Sequence, residues 1–356
     1  MEKLAHTISG IQPINPAYFD RAQKKLNGLT KPLNSLGQLE EIIKQIVAIT
    51  ENEAPILRDK IVFTLASDHG VTEEGVSAYP KEVTSQMVYN FIRGGAGINV
   101  LSRHVGARVI VVDIGVAENI NVSDYSTPIS KFISKKINYG TKNFTKEPAM
   151  TRDEAIKSIE TGIELVEELG APVDIIATGD MGIGNTTPSS AITSVITRRP
   201  VEEVTGCGTG VDDNTFRKKI DVIKRAIQVN NPTLDDPIDI LCKLGGFEIG
   251  GLAGIMLASA KHRIPVVIDG FISGTAALIA YKLSPTVRQY FLAGHCSQEP
   301  GHKIQLEYLK IKPILELNMR LGEGTGAVLA MSIIEAAGKI LTEMTTFEEA
   351  GVSKRK

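Results

Sequence analysis

The chain has 356 residues, of which 42% are hydrophobic and 22% charged, and its formal net charge is -2. This length suffices for one large domain or about two smaller ones with a sizeable buried core. The near-neutral charge, with basic residues scattered along the chain, excludes a strong electrostatic attraction to nucleic acid or an anionic membrane. Three cysteines without C-x-x-C spacing argue against a disulfide framework and favour a reducing compartment: Cys207, Cys242 and Cys296.

The N-terminal residues Met1–His6 contain no apolar signal-peptide core. No apolar run reaches the about 18 residues that a membrane-spanning helix needs. We therefore expect a cytoplasmic protein that does not span a membrane. The 33 glycines cluster between apolar runs and helical segments, a distribution typical of loops that bring backbone close to a ligand.

Hydrophobic periodicity predicts alternating helices and strands in the first half of the chain. Residues 16–50 have helical spacing of apolar side chains, and residues 60–66 form a buried strand that ends at Ser67-Asp-His-Gly70. Residues 84–104 are again helical, interrupted at Gly94-Gly95, and residues 108–114 form a second buried strand. Residues 118–150 are polar and irregular, and the sequence predicts no element there.

The second half continues the alternation. Thr151-Arg-Asp-Glu154 is a capping box, which predicts that a helix begins there. The elements predicted after this helix are strands at 173–177, 264–270 and 290–293, an almost wholly apolar helix at 248–262, and a C-terminal helix from about 325 to 344.

Alternating strands and helices predict an α/β fold with a mostly parallel, Rossmann-like sheet flanked by helices. Ligands bind such sheets at the carboxyl ends of the strands. Four polar or glycine-rich segments directly follow predicted strands, so they should open on one rim of the sheet. These segments are Ser67–Gly70, Gly179–Thr187, Asp269–Gly274 and Gly294–His302.

The segment Gly179-Asp-Met-Gly-Ile-Gly-Asn-Thr-Thr187 ends a strand and precedes Pro188, with Thr186 or Thr187 as candidate helix N-cap. Glycine backbone N–H groups and a helix N-terminus together bind phosphate well. The spacing is neither that of a Walker A loop nor G-x-G-x-x-G. A phosphate cradle and a tight capped turn are both consistent with these residue types.

Gly206-Cys-Gly-Thr-Gly-Val-Asp-Asp213 is a second glycine-rich loop, followed by Arg217-Lys218-Lys219. One of these lysines could neutralise a phosphate held by the first loop, although such a charge run is more often a solvated helix face. The adjacent Asp68 and His69 would point to opposite sides of a strand. The other histidines lack metal-ligand spacing, so metal-dependent hydrolysis is disfavoured.

Glu323 stands between two glycines just before the C-terminal helix. A carboxylate in that position can project into a cleft as a catalytic base. It can equally be a carboxylate favoured by the dipole at a helix N-terminus. The residue alone does not decide between the two.

Taken together, these motifs resemble the nicotinate-nucleotide:dimethylbenzimidazole phosphoribosyltransferases of cobalamin biosynthesis, over nearly the whole chain. No single motif is specific for this family, but the occurrence of all of them in this order is specific. The motifs are Ser67–Val71 with Gly75–Pro80, Gly182–Thr187, Gly206–Gly210 with Asp212-Asp213, Gly245–Gly251, Asp269–Phe271 and Arg320–Gly326.

The resemblance implies that a benzimidazole nitrogen attacks the anomeric carbon of nicotinate mononucleotide. Nicotinate leaves, and α-ribazole 5′-phosphate forms with inversion at that carbon. It implies Glu323 as the base that removes the ring N–H proton, and no metal or organic cofactor. It places the phosphate on the backbone of Gly182, Gly184, Asn185 and Thr186 with Gly208, Lys219 and Ser297, and the benzimidazole against Ser77, Tyr79, Gln86 and Met181.

One position departs from the family pattern, because many members have Glu where this chain has Asp180. Asp180 is the expected second carboxylate of the site, although its side chain is one methylene shorter. The resemblance also implies a homodimer. It further implies a small helical domain from residues 1–55 and 320–356, beside a large α/β domain of residues 56–319.

Two other functions remain open from the sequence. The same fold could transfer the phosphoribosyl group to another purine-like or phenolic acceptor. A regulatory protein could instead bind nicotinate mononucleotide without turnover, and release of nicotinate would distinguish an enzyme from such a protein.

Overall fold

The computed structural model describes residues 1–121, 130–208, 210 and 212–353. Within these ranges the chain forms one sheet of seven strands. They are β1 Lys60–Ser67, β2 Ala107–Gly115, β3 Ser130–Ser134, β4 Ile175–Met181, β5 Val266–Ile268, β6 Phe291–His295 and β7 Pro313–Leu315. Their order is β3-β2-β1-β4-β5-β6-β7, and each neighbouring pair is parallel. The predicted parallel α/β sheet is confirmed.

Helices connect the strands, and short 3₁₀ turns lie at Gly70–Glu74 and Pro285–Tyr290. In the described part of the chain the helices are α1 Glu2–Gly10, α2 Ala17–Gly28, α3 Gln38–Thr50, α4 Val83–Arg93, α5 Gly97–Val105, α6 Arg152–Glu167, α7 Thr186–Thr197, α8 Val201–Val204, α9 Asp213–Asn230, α10 Pro237–Leu244, α11 Phe247–Lys261, α12 Phe271–Leu283, α13 Pro300–Leu309 and α14 Thr325–Glu343. Thr209 and Val211 of the second glycine-rich loop, and part of 118–150, lie outside the described residues.

The order of the strands reverses at β1. From β1 the chain proceeds outward through β2 to β3, and then returns to place β4 on the other side of β1. The loops that follow β1 and β4 therefore leave the sheet in opposite directions and open a crevice between them. Ligand sites of open α/β sheets lie at such a switch point, beyond the carboxyl ends of the strands.

Two hydrophobic cores lie on opposite faces of the sheet, because side chains alternate along each strand. Ile61, Phe63 and Leu65 of β1 belong to the core formed with α6, α10, α11 and α12. Val62 and Ala66 belong to the other core, formed with α2, α3, α5 and α14. Every residue of β1 is buried, as expected for a central parallel strand.

Most predicted elements are confirmed, with differences at their ends and edges. The predicted helix at 16–50 is two helices, because Pro32 and Gly37 lie in the intervening segment and Gly37 has φ +54. The capping box of α6 is present, with Thr151 and Glu154 each bonded to the other's backbone N–H. The short edge strands β3 and β7 were not predicted.

The two chain ends meet on one face of the sheet. α14 packs against α3, and Leu29 forms an isolated antiparallel bridge with Thr346. α1 instead packs against α6 and α11 on the opposite face. The division into a small helical domain of 1–55 and 320–356 and a large domain of 56–319 stays a prediction.

One helix of the described residues, α14, is long and apolar enough to cross a membrane by length and composition alone. It packs against α3, α5 and β6, and residues such as Val328, Met331 and Ile334 are buried in the second core. These contacts account for its apolar character as that of a core helix.

The close contact of α6 with α11 generates a prediction about stability. A Cβ at Gly162 of α6 would lie 1.9 Å from the carbonyl oxygen of Gly251 in α11, so Gly162→Ala must push the helices apart. We expect its free energy of unfolding to fall by about 1–3 kcal/mol or more. Gly28→Ala is the control, since no atom lies within 4 Å of the added Cβ. Chemical denaturation measures both, and equal stabilities would contradict this packing.

Candidate active site

A cavity lies at the carboxyl ends of β4, β5 and β6, where the predicted loops meet. Since all strands are parallel, these loops leave the same edge of the sheet, and the expectation of one common rim is confirmed for the fold. The cavity is lined by Asp180, Met181, Gly182, Ile183, Asn185, Thr186, Gly208, Gly270, Phe271, Ile272, His295, Ser297, Glu299, Arg320, Leu321 and Gly322.

The loop between β4 and α7 brings backbone and a helix N-terminus to this cavity. Gly184 has φ +89, and a Cβ at Gly182 would lie 2.4 Å from the carbonyl oxygen of Ser67. Side chains at these positions would therefore force the loop away. α7 begins at Thr186 with Asn185 as N-cap, one residue before the candidate caps of the sequence. At this end of α7 the Thr187 N–H donates to the Gly184 carbonyl and Pro188 has no N–H, so the Thr186 N–H is the first-turn donor available for an anion among the described residues.

Asn185 does not use its side chain to cap α7. Its amide donates a 2.9 Å hydrogen bond to Oδ2 of Asp180 instead. Oδ1 of Asp180 is buried and has no hydrogen-bond partner among the described residues. Burial first, and then the neighbouring Asp269, raises the pKa of Asp180 to about 8. This shift favours the protonated, neutral form of Asp180 at neutral pH.

Lys219 of α9 is a buried cation directly behind the cavity lining, with 1% of its surface exposed. Its Nζ donates to Oγ1 of Thr186 at 2.7 Å and to the carbonyl of Gly206 at 3.4 Å. It forms no ion pair with a carboxylate of the described residues. Burial lowers the pKa of Lys219 to about 8, opposed by Glu299 and then by Cys207. A buried ammonium without a contacting carboxylate is well suited to an incoming anion.

Glu323 lies on a strained turn at the start of α14. Its φ is +64, between Gly322 at +81 and Gly324 at +97. A left-handed conformation is costly for Glu, and such strain often marks functional sites. Three main-chain contacts hold the turn: the Glu323 N–H donates to the Asp180 carbonyl at 3.2 Å, Thr64 Oγ1 donates to the Glu323 carbonyl at 2.9 Å, and Thr325 N–H donates to the Gly322 carbonyl at 3.0 Å.

The Glu323 carboxylate is 4% exposed and faces the N-terminus of α5. Its Oε2 accepts a 2.9 Å hydrogen bond from the Ile98 N–H. Burial raises the pKa of Glu323; this hydrogen bond opposes the rise, and Asp269 adds to it. The cavity lining reaches Gly322 and stops short of this carboxylate. The carboxylate therefore lies on the α5 side of the turn, away from Lys219.

Asp269, at the end of β5, fixes the turn that carries Glu323. Its Oδ1 accepts from the Ala327 N–H at 2.9 Å and its Oδ2 from the Gly324 N–H at 3.2 Å. The side chain is fully buried, and burial raises its pKa, while nearby His295 and the N–H donors oppose the rise. The carboxylate therefore caps α14 and ties it to the sheet.

A buried histidine–glutamate pair lies behind the loop between β4 and α7. His69 Nε2 and Glu248 Oε1 are 2.9 Å apart, and both side chains are buried. A Cβ at Gly182 would be 3.2 Å from the same His69 nitrogen, so the pair backs this loop. Glu248 was not predicted as a site residue from the sequence. The sequence did indicate its importance, because it is a charged residue at the start of a helix that is otherwise apolar.

The predicted site residues divide into two groups. The structure brings Asp180, Met181, the Gly182–Thr186 loop, Gly208, Ser297 and Lys219 together around the cavity, with Glu323 beside it. Ser77, Tyr79 and Gln86 do not line it. They belong to the segment from the first 3₁₀ turn into α4, which contacts the β4–α7 loop where the Ile183 N–H donates to Oγ1 of Thr84. Their role in binding a base stays a prediction. Glu299, Arg320 and His295 line the cavity and were not assigned from sequence.

Within the described ranges, no group of three or more His, Cys, Asp or Glu side chains is arranged to hold a metal ion. His69 and His295 each lie beside a single carboxylate instead, that of Glu248 and that of Asp269. His295 lies 3.6 Å from Asp269, and its ring centroid is 5.9 Å from that of His302.

Comparison with known proteins adds independent information. A protein-family model described as Phosphoribosyltransferase matches residues 11–352. The nicotinate-nucleotide–dimethylbenzimidazole phosphoribosyltransferases of Desulforudis audaxviator and Chloroflexus aggregans are 56% and 54% identical to this chain, covering 100% of it and 99% of each relative. The crystal structure of CobT from Thermus thermophilus superposes with a TM-score of 0.90 at 42% identity, covering 96% of this chain and 100% of that one.

The capping of α14 generates a prediction for Asp269→Asn. Asparagine keeps the volume but has one acceptor oxygen for the two N–H groups of Gly324 and Ala327, so one buried donor loses its partner. We expect the free energy of unfolding to fall by about 1–3 kcal/mol. Ser273→Ala is the control, because the buried Ser273 hydroxyl has no partner among the described residues. Thermal and chemical denaturation compare them, and an unchanged Asp269→Asn protein would contradict the capping role.

Proposed function

The chain belongs to the nicotinate-nucleotide–dimethylbenzimidazole phosphoribosyltransferase family, and we propose that it carries out this transfer in cobalamin biosynthesis. The phosphoribosyl group moves from nicotinate mononucleotide to 5,6-dimethylbenzimidazole, giving nicotinate and α-ribazole 5′-phosphate. The observation that best supports the proposal is a direct hydrogen bond between the β4–α7 loop, which we propose binds the phosphate, and the residue with the buried carboxylate. The Glu323 N–H donates to the carbonyl of Asp180, so the two parts of the site are one connected unit.

Glu323 serves as the general base. One ring nitrogen of the benzimidazole attacks the anomeric carbon, and the other loses its proton to the Glu323 carboxylate. The bond from the anomeric carbon to nicotinate breaks, and its electron pair neutralises the pyridinium nitrogen, so no general acid is needed. The raised pKa of Glu323 favours this role, since a base works best when its pKa approaches the operating pH.

Attack opposite to the leaving nicotinate inverts the anomeric carbon. This arrangement requires the acceptor on one side of the ribose and nicotinate on the other. Glu323 faces α5, whereas Lys219 and the start of α7 lie around the cavity beyond Asp180. We place the benzimidazole on the α5 side, within reach of the segment that carries Ser77, Tyr79 and Gln86.

The 5′-phosphate binds at the start of α7. The Gly182–Thr186 loop supplies the backbone N–H groups of Gly182, Gly184 and Thr186, since those of Ile183 and Asn185 are bonded within the protein. Lys219 supplies the positive charge, with Gly208 and Ser297 completing the subsite. Binding a phosphate here compensates the desolvation that lowers the pKa of Lys219. The phosphate anchors the ribose so that its anomeric carbon reaches the acceptor, which is the main advantage of holding both reactants in one site.

Asp180 acts as a neutral side chain in this proposal, because its pKa of about 8 keeps it protonated at neutral pH. A protonated carboxyl adds no negative charge beside the incoming phosphate, and it can donate a hydrogen bond to substrate. Glu323 alone is then the general base. The replacement of the family's Glu by the shorter Asp180 therefore leaves the base in place. We further propose a homodimer and a cytoplasmic location, on family resemblance.

Glu323→Gln tests the base. Glutamine keeps the acceptor for the Ile98 N–H but cannot take a proton, so kcat should fall by about 10²–10⁴-fold while binding of nicotinate mononucleotide stays near normal. In the wild-type protein, kcat/KM should fall on the acid side with an apparent pKa above 4.5, the ordinary value for Glu. Nicotinate release is the measurement. A Glu323→Gln enzyme with wild-type kcat would rule out Glu323.

Lys219 predicts a second pH dependence, that of the KM for nicotinate mononucleotide, which appears on the alkaline side instead of the acid side. Lys219 is charged below its pKa of about 8 and neutral above it, and only the charged form attracts phosphate. The KM for nicotinate mononucleotide should therefore rise as pH increases through about 8. In Lys219→Met KM should be high throughout and its rise should become smaller, leaving only the part due to Asp180, whose pKa is also about 8. A KM independent of pH in the wild-type protein would contradict the role of Lys219.

A further inference from the structure

The turn from β6 into α13 contains two buried side chains that the reaction does not use directly, Glu299 and His302. The backbone N–H of Ser297 donates a 2.9 Å hydrogen bond to Nδ1 of His302. Ser297 lines the cavity, whereas His302 lies behind it and is fully buried. The His302 side chain therefore holds the cavity lining through the Ser297 N–H.

A chain of hydrogen bonds continues from this contact across the cavity. The Glu299 N–H donates to Oγ of Ser297 at 3.3 Å, and the Gly208 N–H donates to Oε1 of Glu299 at 3.0 Å. Arg320 then donates to the Gly208 carbonyl at 2.8 Å. This series of hydrogen bonds therefore connects His302 with Ser297 and Gly208 of the proposed phosphate subsite. Through Arg320 it also reaches the segment that leads into Glu323.

The state of His302 is fixed by its surroundings. Burial, and then the neighbouring His295, lowers the pKa of His302 to about 3, so the ring is neutral at working pH. Because Nδ1 accepts from Ser297, the single ring proton is on Nε2. The ring packs against α12 at Gly274, where a Cβ would lie 3.1 Å from its Cδ2. A neutral, enclosed ring suits orientation better than proton transfer.

The orientation of Ser297 has a chemical consequence. Its hydroxyl oxygen accepts from the Glu299 N–H, which leaves the hydroxyl proton free to donate to a phosphate oxygen. The same turn holds the Glu299 carboxylate on Gly208, and a Cβ at Gly206 would meet its Oε2 at 2.2 Å. If the turn shifted, a donor would leave the subsite and this carboxylate could approach the phosphate.

We propose that His302 is a positioning residue for the 5′-phosphate subsite, acting by holding the Ser297 N–H and through it the Ser297 hydroxyl and Glu299. The inference rests on the proposed transfer from nicotinate mononucleotide. It assigns His302 no contact with substrate. His302 therefore affects the affinity for the phosphate and not the rate of the chemical step.

Two variants with amide side chains of similar polarity test this role of His302. His302→Asn can place its carbonyl oxygen where Nδ1 lies, so it keeps the acceptor for Ser297. His302→Gln places its amide near the position of Nε2 and leaves the Ser297 N–H without a partner. We expect His302→Gln to raise the KM for nicotinate mononucleotide about tenfold with kcat little changed. His302→Asn should restore a KM near that of the wild type.

Inorganic phosphate, titrated by calorimetry, gives a readout that does not need turnover. Its affinity should fall about tenfold in His302→Gln and recover in His302→Asn, provided that both variants show folded-state melting transitions. Equal phosphate affinities in wild type and His302→Gln, or equal losses in both variants, would overturn the proposal. Wild-type protein that binds phosphate but releases no nicotinate would instead remove the proposed function.

Discussion

The carboxylate of Asp269 bonds to two N–H groups at the start of α14, and the position of the candidate base depends on this contact. It joins the last helix to the end of β5. The turn of Gly322–Gly324 is thereby held against the middle of β1 and the end of β4, where Thr64 and Asp180 bond to the backbone of Glu323. Three strands and α5 thus fix a side chain whose own backbone is strained.

Burial separates the site into two electrostatic parts. Around the turn it raises the pKa of Asp180, Asp269 and Glu323, which disfavours several negative charges at close range. Around α7 it lowers the pKa of Lys219. A phosphate stabilises the charged lysine, and the neutral Asp180 lies between the two parts without opposing it. The strained turn and the desolvated lysine both destabilise the free protein, which is typical of sites organised for a ligand.

Local sequence patterns predicted the central sheet well. β1, β2 and β4 are apolar runs that end in glycine or polar residues, and parallel pairing then places those ends on one rim. The edge strands were missed because β7 has three residues and is only partly buried, and β3 is a five-residue strand within 118–150, where the polar sequence shows no clear apolar pattern. The break after α2 was missed because apolar spacing continues through Leu33 and Leu36.

The site was predictable where sequence motifs carry backbone geometry. The glycines of the β4–α7 loop and the glycines flanking Glu323 mark positions where the chain approaches another backbone or adopts positive φ. Partners distant in sequence were not predictable in the same way. The contact of Glu248 with His69, that of Glu299 with Gly208, and the position of Glu323 at α5 depend on tertiary packing.

The central claim is that Glu323 removes the ring proton of the acceptor. The most direct test compares wild type with Glu323→Gln on a series of benzimidazoles whose N–H groups are increasingly acidic. If Glu323 is the base, the ratio of wild-type to variant kcat should shrink as the acceptor becomes more acidic, because the proton leaves with less assistance. A ratio that stays constant across the series would contradict the account.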